Sequence, residues 1–546
     1  MMNIRKMMMA LLLTLVGGNA LADDFVETIN QRQHGAGHWV VYEMNVGMFT
    51  QQGTFAAAAD QLEELKKLGI DVVWLMPIYP RGTSGSPYAA TNFRKTNPKY
   101  GSIADLQAFV ERAHELHMQV WLDWVPNHTA TNADWVTEHP EYYTKQNGQM
   151  VHPNNYGDVY QLNYGNAELA QEMTECLKFW IDEADVDGYR CDYISSNGIP
   201  ASYWQQAIPE VKAHKEAATR LSKSLDDSAP QPSLTFLGET DLTDNNNSRL
   251  CNVGFDYDYA WQFQNRMANY GANGTLANPL KIYVNTLKEQ SADKTFGRML
   301  YLTNHDQNFN DGGKTLTQMY GANRYLLTVL AFTVHGMPLI YNGQETGGNQ
   351  ILNYFADTKI NWTTTDSKMR NTLRTLCALK HGTEALKDAN GQGENGALEW
   401  VTVNNNQNVL AYRRILGDSE VLVVLNFAQT ETNALLTGLP AGDYTLWLDS
   451  ETIGQEVSHK QVRLNATHNL HLSAKGYQVY VKGDFEEEPT AITQHPTPNT
   501  HHPTPNTQHP TPITHHPPTT CWAARSHHPT PSTQHLPSQS ATAGRR

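Results

Sequence analysis

Four shortages narrow what this chain of 546 residues can be. Basic residues are in deficit, 40 Lys and Arg against 55 Asp and Glu for a formal charge of -15, which argues against a protein that tracks a nucleic-acid backbone. Cysteine is scarce: Cys176, Cys191, Cys251, Cys377 and Cys521 lack metal-ligand spacing, and their odd number leaves at least one unpaired. They read mostly as small buried hydrophobes, although the sequence allows a Cys176 to Cys191 bridge. Past the N-terminus no stretch approaches the roughly 20 apolar residues of a transmembrane helix. No glycine fingerprint follows the first strand, which weakens a dinucleotide-binding open sheet.

What is present begins with a leader. "MMNIRKMMMALLLTLVGGNALADD" has a basic start, an apolar stretch from Met7 to Val16, and Ala20-Leu21-Ala22 in the pattern that precedes signal cleavage. Residues 1–22 are therefore expected to be a signal peptide, with the mature chain starting at Asp23 and the protein secreted or periplasmic.

From Gly37 to His381 short apolar runs alternate with amphipathic segments. "HWVVYEMNV", "IDVVWLMPI", "QVWLDWV", "DVDGYRCDY", "LTFLGE", "VGFDYDYAW", "GRMLYLTNHD" and "GMPLIYNG" give eight strand candidates. One helix is expected over "TFAAAADQLEELKKLG", with Phe55, Leu62 and Leu65 facing the core and Gly69 at its end. A second opens on Ser102 and Asp105 at capping-box spacing. Eight strands with interleaved helices predict a (β/α)8 TIM barrel over residues 23–390. The long aromatic and polar stretch 128–163 after strand three reads as a small inserted domain. Residues 396–482 switch to strand alternation and predict a C-terminal antiparallel β-sandwich. The 485–546 tail is rich in His, Pro and Thr, with His495, His502, His509 and His516 seven apart and each followed by proline, which excludes a coiled coil and predicts disorder.

Polar clusters stand at the C-terminal ends of four strand candidates, where a barrel gathers its catalytic groups. "LDWVPNH" supplies Asp123, Asn127 and His128; "GYRCD" supplies Arg190 and Asp192; "FLGE" supplies Glu239; "TNHD" supplies His305 and Asp306. Arg190 and Asp192, two apart on a strand, share a face, so the guanidinium is expected to hold Asp192 ionised with a low pKa, as suits a nucleophile. Glu239, beside Leu237 and Gly238, is expected to keep its proton and act as a general acid. One ionised and one protonated carboxyl is the glycosidase arrangement; a separation of roughly 5 Å gives a covalent glycosyl-enzyme and retention. Asp306 would hold sugar hydroxyls, with His128 and His305 as hydrogen-bonding partners.

These four motifs, in this order, resemble those of the α-amylase family of glycoside hydrolases, and "SPYAATNFRKTNPKYGS" and "GMPLIYNGQE" extend the resemblance over residues 38 to 482. It implies Asp192 as nucleophile, Glu239 as acid/base and Asp306 as transition-state stabiliser. Arg190, His128 and His305 match substrate-contacting positions, Asp123 supports the site, and Tyr88 matches a tyrosine that stacks on the sugar. It further implies a structural calcium ion held by Asn127 with Asp158, no organic cofactor, and an α-glucan oligo- or polysaccharide as substrate. The expected activity is retaining hydrolysis of α-1,4-glucosidic bonds, with transglycosylation or cyclodextrin and pullulan cleavage as the alternative within the family and a non-catalytic glycan-binding protein outside it. Ser195 and Ser196 depart from the Lys-His pair that follows the nucleophile in many α-amylases, which leaves acceptor-side specificity open. In the inserted domain "QLN" (Gln161 to Asn163) stands where an acidic residue is common.

Overall fold

A computed structural model describes residues 18–222, 234–271, 277–292, 296–310, 312–388, 395–453 and 459–483. Most of the expected leader and the whole of the His/Pro/Thr-rich tail lie outside these residues.

All eight strand candidates form, as β1 (Val41–Met44), β2 (Val72–Leu75), β3 (Gln119–Trp124), β4 (Gly188–Cys191), β5 (Thr235–Gly238), β6 (Tyr257–Tyr259), β7 (Gly297–Leu300) and β8 (Met337–Tyr341). Each pairs in parallel with its sequence neighbours and β8 closes onto β1. The strands are four-residue-scale apolar runs because both faces are covered: side chains of one parity meet the surrounding helices, and those of the other fill the interior. The interior is unusually aromatic, packing Trp39, Trp74, Trp121, Tyr257, Tyr259 and Tyr301 with Val41, Leu237 and Met299. Trp121 needs a gap in its neighbour: a Cβ on Gly188, its register partner in β4, would sit 2.6 Å from Trp121 Cδ1.

The helix expected between β1 and β2 is broken in two, Phe55–Ala59 and Leu62–Leu68, with Asp60 and Gln61 between them. The break still leaves Phe55, Leu62 and Leu65 buried together, so core packing has overridden a continuous helical register. Gly69, at φ 104°, ends the second segment in the left-handed conformation. Ser102 and Asp105 form the expected capping box.

After β3 the chain leaves the barrel. His128–Ala130 pairs antiparallel with Val159–Gln161, and Lys145–Gln146 pairs with Gln149–Met150 around Asn147 and Gly148, both at positive φ. The C-terminal region is a sandwich of a six-stranded and a three-stranded antiparallel sheet. Val403, Leu422, Val424, Leu436, Tyr444 and Leu470 fill the space between them. The other face of the larger sheet lies on the last barrel helix, Ser367–Gly382: Trp447 Nε1 donates to Thr375 O at 3.0 Å, and the Tyr477 and Thr372 hydroxyls meet at 3.2 Å.

Cys176, Cys191, Cys251 and Cys377 are free thiols, so the Cys176 to Cys191 bridge does not form. Cys176 Sγ is turned instead toward Glu172 Oε1, 3.6 Å away along its own helix. A helix from Gly18 to Gln31 runs through the expected cleavage point, and Val26, Ile29 and Asn30 bury its later turns. No helix among the described residues is long and apolar enough to cross a membrane.

Candidate active site

The expected residues converge at the C-terminal mouth of the barrel because they sit at the ends of strands or in the segments that follow them. Asp192 and Glu239 directly follow β4 and β5. His305 and Asp306 open the short helix His305–Phe309, whose first turn is capped by Asn304 Oδ1 accepting from the Asp306 and Gln307 amides. The cleft above them, about 540 Å³, is also lined by Tyr88, His128, Asn154, Tyr156, Asp158, Tyr193, Asn310, Tyr354 and Phe355.

Arg190 is the hub. Its Nη1 donates to Asp192 Oδ1 at 3.0 Å and to Asp123 Oδ1 at 3.0 Å, and its Nη2 lies 2.9 Å from Glu239 Oε1. The guanidinium also lies 5.1 Å from the Trp74 ring centre and 5.3 Å from that of Tyr259. Arg190 and Asp123 are wholly buried, whereas the Asp192, Glu239 and Asp306 side chains retain 12%, 10% and 21% exposure. The three acids therefore face the cleft, and Arg190 and Asp123 act on them from beneath.

One cation divided among three carboxyls does not keep Asp192 strongly acidic. Burial pushes Asp192 up to about 6, outweighing Arg190, with Asp123 and Asp306 adding repulsion. The expectation of a low pKa is thus corrected. Burial pushes Glu239 further, to about 8, against the pull of Arg190 and with Asp192 repelling it. The order of the two acids, Asp192 below Glu239, is the one expected. Tyr193 holds Glu239 in place: at φ 44°, in the left-handed region, it turns the chain after Asp192 and donates its amide to Glu239 Oε2 at 2.7 Å.

Tyr88 stacks on His305, ring centres 5.2 Å apart and 19° from parallel, while its hydroxyl meets His305 Nε2 at 2.8 Å and Asp123 Oδ2 at 3.1 Å. Burial opposes charge on His305, but Asp306 and Glu43 outweigh it and hold its pKa up at about 9. Glu43, fully buried in β1, takes His305 Nδ1 at 2.5 Å. Sequence reasoning missed this residue. Its signal was a lone acid in "VVYEM" on the inward parity of Val41. Asn310 was missed too; its Nδ2 donates to Asp306 Oδ1 at 2.8 Å. So were Tyr156, 60% exposed, and Phe355, 39% exposed, whose aromatic character only the cleft makes meaningful.

His128 is held neutral, its pKa lowered to about 4 by burial. Its Nε2 meets the Tyr88 carbonyl at 3.1 Å and its Nδ1 accepts from Asn127 Nδ2 at 3.2 Å, so it fixes the backbone of the stacking tyrosine. Asn127 Oδ1 is buried without a hydrogen-bond partner, which suits one oxygen ligand of a hard cation. Asp158 lies on the cleft wall, with its main-chain oxygen accepting from Thr131. Ser195 and Ser196 are held through their carbonyls by Arg249 Nη2 at 2.9 and 2.8 Å.

The family model for the alpha amylase catalytic domain matches residues 22–161 and 154–414, and that for the alpha amylase C-terminal all-beta domain matches 400–484. A cyclomaltodextrin glucanotransferase of Bacillus sp. (strain 1-1) is 26% identical over 459 residues, covering 74% of this chain and 59% of its own. An oligo-1,6-glucosidase of Parageobacillus thermoglucosidasius is 26% identical over 351 residues, 53% of this chain and 60% of its own. The chain spans about three-fifths of the length of these curated relatives. Among solved structures, a maltogenic alpha-amylase from Thermotoga neapolitana has the same fold, with a TM-score of 0.65 at 24% identity over 82% of this chain and 99% of that one.

Proposed function

Because the chain belongs to the alpha-amylase family of glycoside hydrolases, we propose that it cleaves α-1,4-glucosidic bonds of starch, glycogen or maltooligosaccharides with retention of configuration. The observation that carries this reading is the placement of Asp192 and Glu239 on one guanidinium, with Glu239 the weaker acid.

Between the two pKa values Asp192 is ionised and Glu239 protonated. Asp192 attacks the anomeric carbon as Glu239 gives its proton to the glycosidic oxygen, which releases the leaving sugar and leaves a glycosyl ester on Asp192. Glu239, now a carboxylate, takes a proton from water as the water oxygen attacks the same carbon and frees Asp192. Asp306, steered by Asn310, accepts hydrogen bonds from the sugar as positive charge develops at the ring. Tyr88 offers a flat apolar face to it, and His305, held charged by Glu43 and Asp306, fixes the Tyr88 ring from the Nε2 side.

A calcium ion, where bound, would take Asn127 Oδ1 and tie the inserted segment to the end of β3; it supplies structure and no step. Export through residues 1–22 is part of the same proposal.

Chromatography of the products formed over time from amylose tests the reading, with Glu239→Gln as control. Linear α-configured maltooligosaccharides from the wild type alone are expected. Cyclic or lengthened products would instead favour transfer to a sugar hydroxyl, as the name of the glucanotransferase relative suggests for that protein. The absence of products from amylose, pullulan and cyclodextrins would overturn both.

A further inference from the structure

At the end of the barrel opposite the acids, three metal-ligand side chains from distant parts of the sequence come together. Asp71 directly precedes β2, and its Oδ2 accepts from the Val40 amide at 2.9 Å. His381, in the last turn of helix Ser367–Gly382, places Nε2 2.8 Å from Asp71 Oδ2. His34, in the N-terminal segment, stacks on His381 with ring centres 3.7 Å apart. One ligand atom from each of His34, Asp71 and His381 lies within 4.8 Å of the other two, the one such group among the described residues.

We propose that these three side chains bind a divalent transition-metal ion of the zinc class, which staples the N-terminal segment and the foot of β2 to the last barrel helix. The second contacts of the two imidazoles argue for this. His34 Nε2 is 3.0 Å from the Ile29 carbonyl, and His381 Nδ1 is 3.1 Å from Asn30 Oδ1. Asn30 itself is pinned, because its Nδ2 donates to the Leu68 and Arg374 carbonyls. An outer ring nitrogen that keeps its proton on an oxygen lets the inner one give up its own and become a lone pair for the ion, which is how metal-binding histidines are oriented. Two imidazoles and a carboxylate make a ligand set for zinc and its neighbours, whereas calcium takes six to eight oxygens. The metal replaces the proton between His381 Nε2 and Asp71 Oδ2, which is released on binding. Lys66 lies 3.5 Å from Asp71 Oδ1, so the oxygen turned toward His381 is Oδ2, which keeps the Val40 amide as a second contact. His34 is half-buried, so it gives the ion its entry path, and because its ring is stacked 11° from parallel with His381 it tilts about its Ile29 contact to aim its inner nitrogen at the ion.

The test compares the full chain with His34→Ala, and with His34→Gln as a second variant; a half-buried side chain near the terminus is a mild site to change. Both are stripped with chelator and dialysed against zinc chloride at the same buffered micromolar concentration, and bound zinc and Tm are measured. The tail histidines contribute equally to all proteins, so the difference reports this site. The wild type is expected to hold one more equivalent of zinc than either variant and to gain about 2 °C or more in Tm on zinc addition, a gain both variants lose. Equal zinc content and equal Tm response would overturn the proposal and leave the three residues as a charge and stacking cluster. Neither readout uses amylose hydrolysis, so failure here is separate from failure of the proposed activity.

Discussion

Glu43 Oε1 and His305 Nδ1 meet at 2.5 Å, joining the first barrel strand to the short helix after the seventh across 262 residues of sequence. Glu43 helps hold His305 charged, and His305 in turn meets the Tyr88 hydroxyl. Glu43→Gln removes that charge and is expected to lower the His305 pKa from about 9, with a loss of about tenfold or more in kcat/KM carried mainly by KM. NMR titration of the His305 ring checks the first part. A ring that titrates unchanged would show that Asp306 alone sets its charge.

Activity should follow a bell in pH. Asp192 must be ionised, so kcat/KM rises as pH passes its value of about 6; Glu239 must be protonated, so kcat/KM falls as pH passes about 8. The two limbs belong to the coupled pair. Glu239→Gln is expected to abolish the alkaline limb in whatever activity remains, and an alkaline limb that persists would assign it to another group.

Asp192→Asn should lower turnover by about 10⁴-fold or more, because the attacking oxygen is lost. The fold should survive, since Arg190 keeps Asp123 and Glu239 as partners. Matching circular dichroism and Tm with near-normal turnover would remove Asp192 from the nucleophile's role.

Arg190→Lys is not conservative here. Lysine offers one compact charge where a planar fork reaches Asp123, Asp192 and Glu239, so buried carboxyls are left short of a partner. A loss of about 3–5 kcal/mol in urea denaturation is expected, on the scale of breaking a buried ion pair. A loss below about 1 kcal/mol would mean the acids are neutral in the folded chain.

Calcium addition is expected to raise the Tm of the wild type and of His34→Ala alike, and to leave Asn127→Ala unmoved. The same rise in Asn127→Ala would place any calcium elsewhere.

The sequence by itself determined the barrel and the acids at its mouth. Eight apolar runs, each short and β-rich, mark strands covered on both faces, and the polar residues at their ends mark where that cover stops. The carboxyls Asp192, Glu239 and Asp306 were legible for that reason. What the tertiary structure decided is everything set by partners far apart in the chain. Arg190, two residues away, by itself predicts a low pKa for Asp192; burial and the division of that guanidinium with Asp123 and Glu239 raise it instead. The sequence allows a Cys176 to Cys191 bridge, yet helix geometry turns Cys176 to Glu172. The helix after β1 carried one continuous signal and broke where the core required it. Glu43 and the group of His34, Asp71 and His381 read as ordinary strand, loop and helix residues, because charge, desolvation and ligand geometry depend on distances that closing the barrel creates and that spacing along the chain does not encode.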